Sequence, residues 1–223
     1  LSRPSPLGAD TVRIEERNAR VVVAQSFGVS YAFSEVAPGT YQSDQAFAAS
    51  AGEPYTLRIT LSSGREYAST AERLPGASVI DDIYADRILS STGVEGVGIF
   101  VDSSTPDATF GNYKYTYEET YKIIAPNWVN KEFVILQDEY GNDLAFPGFE
   151  TRSIDELECY NTDISNTIIQ TSTTDLSEDR VSGFSVRNIS TDNPIISHRY
   201  SILVRQYVQS LEAFSYYDLL NQL

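Results

Sequence analysis

The sequence predicts an all-β fold built from two β-sandwich-like domains, with a short helix near the C-terminus. Three observations predict this class. Tyrosine is frequent, at 15 of 223 residues, and its ring favours half-buried pleated surfaces. Apolar and polar residues alternate with period two in many short runs. Pro-Gly and Ser-Gly pairs separate these runs and favour the turns that join strands.

The N-terminal domain is predicted over residues 1–76 as an immunoglobulin-like or transthyretin-like sandwich. Its clearest strand runs from Tyr55 to Leu61, where apolar and polar residues alternate. Pro38-Gly39 predicts a turn, since proline presets φ and glycine accepts positive φ. Further strands are predicted at 19–23, 29–33 and 66–70. Short strands at this spacing are typical of a sandwich, and Leu74-Pro75-Gly76 marks the predicted boundary.

The second domain is predicted over residues 77–223 as a further set of strands. The strongest is the run at 113–117, in which tyrosines alternate with polar residues. Other strands are predicted at 79–84, 96–102, 132–137, 143–146, 166–171 and 184–188. Tyr140-Gly141-Asn142 predicts a hairpin turn between two of them. The polar stretches at 147–163 and 172–183 are predicted as loops, where binding sites are often found.

The last part of the chain joins a strand pattern directly to a helix pattern. Residues Tyr200 to Val208 alternate with period two and carry apolar side chains on both faces, which predicts a central strand of the second domain. Ser210 is a predicted N-cap, and Glu212 suits the first turn of a helix. We expect this helix to cover an edge or an end of the sheet.

The formal net charge of −15 excludes some classes of partner. Nucleic-acid recognition needs clustered Lys and Arg, so we expect no nucleic-acid partner. Approach to an anionic lipid surface is also disfavoured. One cysteine and one histidine do not favour a zinc site, and no cofactor is expected. No apolar run reaches the ~18 residues that span a bilayer.

Candidate catalytic residues are limited to adjacent carboxylates. Such pairs occur at Asp81-Asp82, Glu118-Glu119, Asp155-Glu156 and Glu178-Asp179. A glycoside hydrolase needs two carboxyl groups that face each other across a cleft, whereas adjacent pairs arise by chance in a chain with 31 acidic residues. The sequence has no nucleophile-elbow, phosphate-loop or dinucleotide motif. We therefore expect a protein that is not an enzyme, with a glycan-active hydrolase as the alternative.

We expect no cofactor, and the alternative is a bound Ca²⁺ ion. The segment from Asp102 to Asp107 concentrates the oxygen ligands that Ca²⁺ prefers, and these two aspartates are the candidate ligands. The spacing is not that of an EF-hand. Turns stabilised by Asp and Ser side chains explain the same composition without a metal.

Aromatic residues are the candidate ligand-binding groups. Tyr113, Tyr115 and Tyr117 share one face of their strand and would offer a stacking platform for a glycan or a peptide. The same ladder would equally suit the packed face of a sheet. Trp128 follows Pro126-Asn127 in a predicted loop, where a tryptophan indicates binding or packing between domains.

Several segments, taken in order, resemble a known family. They are Leu1 to Leu7, Glu35 to Asp44, Gly52 to Leu57, Gly64 to Thr70, Val101-Asp102, Tyr113 to Tyr121, Thr174 to Val181, and Tyr200 to Tyr207 followed by Glu212-Ala213-Phe214. Together they resemble the domain-of-unknown-function 4249 family, whose members are lipoproteins of Bacteroidota. The resemblance covers nearly the whole chain and brings no assigned functional residues.

The resemblance implies an outer-membrane protein that is held by a lipid on a cysteine outside this chain. It also implies an accessory role beside a TonB-dependent receptor or another outer-membrane protein. We therefore expect a non-enzymatic, envelope-anchored binding module. A structural or adhesion module is a further alternative, which would show a flat exposed patch.

Overall fold

The computed structural model describes residues 1–3, 14–26, 28–50, 52–74, 78–90, 93–105 and 111–222. The chain divides into two compact units, Leu1–Ala77 and Ser78–Leu223, named unit 1 and unit 2. Antiparallel strands dominate both units, and the described residues contain one α-helix, near the C-terminal end. The predicted all-β class is confirmed.

Unit 1 contains a six-stranded sheet and a separate two-stranded sheet. Its strands are β1 (Ser2–Arg3), β2 (Ile14–Glu15), β3 (Arg20–Gln25), β4 (Ser30–Ala37), β5 (Thr40–Ser43), β6 (Pro54–Thr60), β7 (Glu66–Ala68) and β8 (Glu72–Arg73). The larger sheet has the order β5-β4-β3-β6-β7, and β8 also pairs with β6. Strands β1 and β2 pair with each other.

The alternation on β3 separates the two faces of the larger sheet. Val21 is buried and lies opposite Phe33 of β4 and Ile59 of β6. Phe47, from the segment after β5, stacks on Tyr31 with ring centroids 3.9 Å apart. An aromatic side chain from a loop therefore covers part of the apolar face of unit 1.

The predicted turn at Pro38-Gly39 is confirmed, and Glu35 holds it in place. Gly39 has φ +67°, and a Cβ there would lie 2.6 Å from the carbonyl oxygen of Leu1, so the position requires glycine. The Glu35 carboxylate accepts hydrogen bonds from the backbone N–H groups of Asn18 at 2.7 Å and Gly39 at 2.9 Å. These bonds hold the pKa of Glu35 below its usual range.

Unit 2 contains nine strands and the helix in its described residues. They are β9 (Val79–Leu89), β10 (Glu95–Ser104), β11 (Asn112–Ile124), β12 (Lys131–Gln137), β13 (Asp143–Thr151), β14 (Glu158–Ile164), β15 (Ile169–Ser172), β16 (Arg180–Ser190), β17 (Tyr200–Gln209) and α1 (Leu211–Asn221). Two 3₁₀ turns, Ile154–Glu156 and Pro194–Ile196, interrupt the connections.

Two sheets of unit 2 face each other across a shared core. One has the order β16-β10-β9, and the other is centred on β11, which pairs with β14, β15 and β17. Buried side chains from both sheets form one cluster. They are Ile99, Val101, Tyr113, Tyr115, Tyr117, Val181, Val186 and Val204. The alternate residues of each strand thus point inward, as in a β-sandwich.

A buried ion pair joins these two sheets. Glu119 of β11 is 3% exposed, and its carboxylate accepts two hydrogen bonds from the Arg187 guanidinium of β16, at 3.1 and 2.9 Å. The Tyr200 hydroxyl of β17 donates to the same carboxylate at 2.7 Å. Burial raises the pKa of Tyr200, and the hydrogen bond to Glu119 raises it further. This hydroxyl therefore remains a donor at neutral pH.

A β-bulge in β16 brings Arg187 into this position. Ile99 of β10 lies opposite Arg187, whereas the next residue, Phe100, lies opposite Ser185. Val186 is the extra residue, and it is buried. An extra residue lets two consecutive side chains of one strand turn to the same face, so Val186 and Arg187 both reach the interior.

Helix α1 follows β17 directly and begins as predicted. The Ser210 hydroxyl accepts a hydrogen bond from the backbone N–H of Ala213 at 3.3 Å, which caps the helix. The Lys114 ammonium lies 3.5 Å from the centroid of the Tyr217 ring. Lys114 points away from the core because it lies between two inward tyrosines. The helix therefore contacts the outer face of the sheet, near the first residues of β11.

Two predictions for unit 2 are wrong. In the described residues β17 pairs only with β11, so it is an edge strand and β11 is the central one. The apolar side chains on the outer face of β17 include Leu203 and Tyr207, which are exposed. The stretch at 147–163 is not a loop throughout, because β13 extends to Thr151 and β14 begins at Glu158.

Breaking the inter-sheet ion pair should destabilise the protein. Arg187→Ala would leave the Glu119 carboxylate buried without its partner, and we expect the free energy of unfolding to fall by about 3 kcal/mol. Arg87→Ala is the matched control, since the Arg87–Glu95 pair is exposed on both sides and should contribute less than about 1 kcal/mol. Urea denaturation measures both. Equal effects of the two variants would contradict a structural role for Arg187.

Candidate functional site

The three candidate ligand-binding tyrosines lie inside the sandwich of unit 2. Tyr113 is 2% exposed and Tyr115 is 0% exposed, and Tyr117 is also buried. The Tyr115 ring stacks on Phe184 of β16, with centroids 5.2 Å apart. A glycan or peptide in solvent has no free face of these rings to stack on. The ladder is the packed face of a sheet.

The hydroxyl group of one tyrosine of this ladder, Tyr113, is hydrogen-bonded to buried polar side chains. The Tyr113 hydroxyl donates to the Asp179 carboxylate at 2.9 Å and lies 2.8 Å from the Thr105 hydroxyl. Thr173 also donates to Asp179, at 2.5 Å. Burial raises the pKa of Tyr113. Asp179 therefore fixes the segment between β15 and β16 to the core, so its carboxylate has a structural role.

Of the two candidate metal ligands, Asp102 lies in the described residues. Asp102 lies on β10, where its carboxylate accepts a hydrogen bond from the backbone N–H of Gly183 at 2.6 Å. Asp107 lies outside the described residues. The described part of the chain contains no group of three or more His, Cys, Asp or Glu side chains suited to a metal ion.

In two of the adjacent carboxylate pairs, one carboxylate is buried and bound by structural partners. Glu118 and Glu119 point to opposite faces of β11, and Glu119 is bound by Arg187. Asp179 is bound by Tyr113. Among the described carboxyl groups, those whose pKa is clearly shifted are Glu16, Glu35 and Asp138, and all three shifts are downward.

The candidate functional site is an isolated β-ribbon formed by β12 and β13. These strands pair with each other and with no other strand in the described residues, so each has an unpaired edge. The Asp138 carboxylate closes the turn by accepting hydrogen bonds from the backbone N–H groups of Tyr140 and Asn142, both at 2.9 Å. Hydrogen bonds from Asn142 hold the pKa of Asp138 below its usual range.

One face of the ribbon is apolar and open to solvent. Phe133 lies opposite Phe149, and Ile135 lies opposite Pro147, so these four residues share what we name the apolar face. The two phenylalanine rings are in contact, with centroids 4.6 Å apart. Phe133 is 73% exposed, Ile135 71% and Phe149 62%. This contiguous exposed apolar surface makes the ribbon the candidate interaction site.

Trp128 lies at the base of the ribbon, in the connection between β11 and β12. Its backbone N–H donates to the carbonyl of Ala125 at 3.3 Å. The side chain is half-buried, and its indole N–H has no hydrogen-bond partner in the described residues. The predicted loop position is confirmed, whereas a role of Trp128 in ligand binding stays a prediction.

An apolar groove of about 470 Å³ lies beside the end of β11 in unit 2. Its apolar lining is Ile123, Ile124, Pro126, Pro194 and Ile195. Lys122 and the exposed His198 contribute its polar part, and Lys122 forms an ion pair with Glu158 at 2.6 Å. Among the described concavities this one has the lining best suited to an apolar group of a ligand.

The sequence predicted the ribbon strands but did not identify them as a site. The signal is present in Phe133-Val134-Ile135-Leu136, four consecutive apolar residues. Such a run predicts a strand buried on both faces. In the structure no second sheet covers it among the described residues, and this could not be derived from the run itself.

Comparison with known proteins identifies the family. A family model described as a domain of unknown function, DUF4249, matches residues 1–223, so the chain belongs to this family. No curated protein and no solved structure matches the chain. Among the described residues no helix has the length and apolar character to cross a membrane.

The buried tyrosine ladder predicts a loss of stability at high pH. Burial raises the pKa of Tyr115 to about 12, and the nearby Ser103 hydroxyl offsets part of the shift. In the unfolded chain the pKa is about 10, so folding favours the neutral phenol. The neutral phenol contributes fully to the free energy of unfolding below pH ~10, and this contribution is lost as the pH rises towards 12. It amounts to about 1.4 kcal/mol for each unit by which the folded pKa exceeds the unfolded pKa.

We therefore expect Tyr115→Phe to lose less stability than the wild type between pH 10 and pH 12. At pH 7 the variant should change the free energy of unfolding by less than about 1 kcal/mol, because the Tyr115 hydroxyl has no hydrogen-bond partner in the described residues. Urea denaturation across this pH range provides the measurement. Tyr140→Phe, at an exposed position, is the control and should follow the wild type.

Proposed function

We propose that this member of the DUF4249 family is a non-enzymatic binding module of the cell envelope that docks on another protein through the β12–β13 ribbon. The single observation that carries the proposal is the apolar face. Phe133, Ile135 and Phe149 are each more than 60% exposed, although water is an unfavourable environment for large apolar side chains. Burying them against a partner would remove this surface from water.

The shape of the ribbon also suits docking. Aromatic residues are enriched among the side chains that dominate binding energy at interfaces, and here two of them are in contact on one surface. The unpaired edges of β12 and β13 offer backbone groups to which a partner strand could add. Pro147 lacks a backbone N–H, which weakens pairing along its edge. This favours docking through the side chains of the face.

The non-enzymatic part of the proposal draws support from the carboxylates. Glu119 and Asp179 are the buried members of their pairs, and each is held by structural partners. A general acid needs a raised pKa and a position in a cleft, and neither residue lines a described groove. The alternative of a glycan-active hydrolase therefore has no supporting site among the described residues.

The cellular setting remains part of the proposal. The family resemblance implies a lipid anchor outside this chain and a place on the outer membrane. In that setting the proposed partner is a TonB-dependent receptor or another outer-membrane protein. The net charge of −15 disfavours direct contact with an anionic lipid surface, which supports a protein as the docking surface.

Removing the apolar face should abolish docking without unfolding the protein. For Phe133→Ser/Phe149→Ser we expect recovery of the partner from native membranes to fall at least about tenfold, since each lost aromatic anchor weakens an interface substantially. Thermal stability should change little, because both rings are mostly exposed and a cross-strand pair contributes less than about 1 kcal/mol. Quantitative affinity purification from solubilised envelopes, with a melting curve of each variant, provides the measurement.

Leu89→Ser is the control, because Leu89 is 69% exposed on a different strand. It should leave the recovery of the partner unchanged. Equal recovery with the wild type and the double serine variant would overturn docking through the ribbon. Hydrolysis of a glycan by the purified chain, abolished by Glu119→Gln, would favour the enzyme instead.

A further inference from the structure

We propose that the six-stranded sheet of unit 1 binds a small molecule through a carboxylate or phosphate group, which Arg20 and Arg58 hold between them. The site lies on the outer face of this sheet, the face opposite to the buried Val21. This inference goes beyond the proposed docking, because it concerns a different unit and a different ligand. Its basis is a groove that contains two arginine side chains without a partner in the described residues.

The register of β3 and β6 places both arginines on the same face. Arg20 lies opposite Thr60, and Arg58 lies opposite Val22. Because side chains alternate along a strand and Val21 is buried, Arg20 and Val22 point to the outer face. Arg58 is therefore the diagonal neighbour of Arg20, at about 7 Å. Two long side chains at this separation can direct their guanidinium groups at one anion.

A groove of about 560 Å³ lies on this face. Small side chains form its floor, among them Val22, Ala24 and Ala68, and Ala68 lies opposite Arg58. Both arginines line the groove and are exposed. The volume is within the range of about 300–1,000 Å³ that is typical of small-molecule sites. The short side chains of the floor leave space for the part of a ligand that carries the anionic group.

The two arginines are unusual within unit 1 because they have no partner. The other described arginines of this unit each bind a carboxylate, a hydroxyl or a carbonyl group; they are Arg3, Arg17, Arg65 and Arg73. Among the described residues, no hydrogen bond or ion pair involves the side chain of Arg20 or Arg58. The chain contains 31 acidic residues, yet it leaves these two neighbouring cations without a carboxylate. An anion bound between them would remove their mutual repulsion.

The guanidinium group determines the class of ligand. Its planar arrangement of donors matches the oxygen atoms of a carboxylate or a phosphate, to which it can donate two parallel hydrogen bonds. The net charge of −15 opposes the approach of nucleic acid or of an anionic membrane. A small anion carries little charge and fits the groove, so it is favoured over these large polyanions.

One carboxylate is present among the described lining residues of the groove. Glu66 lies opposite Thr60 on β7 and lines the groove together with Arg58. It is diagonal to Arg58, yet the two side chains form no ion pair. The Arg58 guanidinium thus remains available to a ligand, whereas the Glu66 carboxylate would repel an anion bound beside it.

Two small anions, inorganic phosphate and succinate, test the site on the full chain by NMR titration. We expect at least one of them to shift the backbone amide signals of β3, β6 and β7 in a saturable manner. Binding of phosphate alone would assign a phosphate site, and binding of succinate alone a carboxylate site. The inference is overturned if neither anion gives saturable shifts, or if the shifts lie outside these three strands.

Removal of the two arginines should then weaken the binding of the same anion. For Arg20→Gln/Arg58→Gln we expect the Kd to rise at least about tenfold, since the charge-assisted hydrogen bonds are lost. Arg17→Gln/Arg73→Gln is the matched control, because it removes the same charge from arginines that do not line the groove, and its Kd should stay within about twofold. Equal weakening in both variants would attribute binding to net charge and overturn the site. A melting curve of each variant verifies that it is folded.

The sign of the effect at Glu66 gives a second readout. Glu66→Gln removes a negative charge beside the bound anion, so we expect the Kd to fall at least about twofold. An unchanged or higher Kd would place the anion elsewhere and contradict the inference. The ribbon variant Phe133→Ser/Phe149→Ser should bind the anion like the wild type, so the anion site and the docking proposal can fail independently.

Discussion

The burial of the tyrosine ladder of β11 is the constraint on which unit 2 depends. Period-two alternation sends Tyr113, Tyr115 and Tyr117 into the space between two sheets, and Tyr113 and Tyr115 are the largest fully buried side chains in the described residues. Each ring also carries a hydroxyl that must be accommodated in the interior. The Tyr113 hydroxyl is met by Asp179 and Thr105. The use of tyrosine at position 113 thus requires buried polar partners, whereas the Tyr115 hydroxyl has no hydrogen-bond partner in the described residues.

The same requirement explains the ion pair between the sheets. Glu119 continues the inward face of β11 one step beyond Tyr117, so its carboxylate also points into the interior. A buried carboxylate is costly unless it is paired and hydrogen-bonded, and the bulge at Val186 brings Arg187 to it. The Arg187 guanidinium also lies 5.5 Å from the centroid of the Tyr117 ring. The bulge in β16 therefore places Arg187 against both the Glu119 carboxylate and the Tyr117 ring.

The sequence predicted the strands well where alternation was strong and poorly where it was not. The runs at 79–84, 96–102 and 113–117 belong to strands because one face of each meets the core. Strand β14 was missed because all seven of its residues are exposed, so nothing in its sequence had to alternate. The apolar outer face of β17 suggested a central strand, whereas Leu203 and Tyr207 are exposed at an edge. Apolar residues on both faces of a strand therefore do not show whether that strand is central or lies at an edge of the sheet.

The ribbon is the place where local sequence and fold disagree. Four consecutive apolar residues indicate a strand that is covered on both sides, yet β12 leaves the sandwich with only β13 as its partner. Two glutamates indicate repulsion, yet the register pairs them directly. Natural proteins keep such conflicts mainly where function requires them. The core of unit 2 contains none of these six residues, so the packing of the core does not explain them. A partner that covers the apolar face would resolve the first conflict, whereas Glu132 and Glu150 lie on the opposite face of the ribbon.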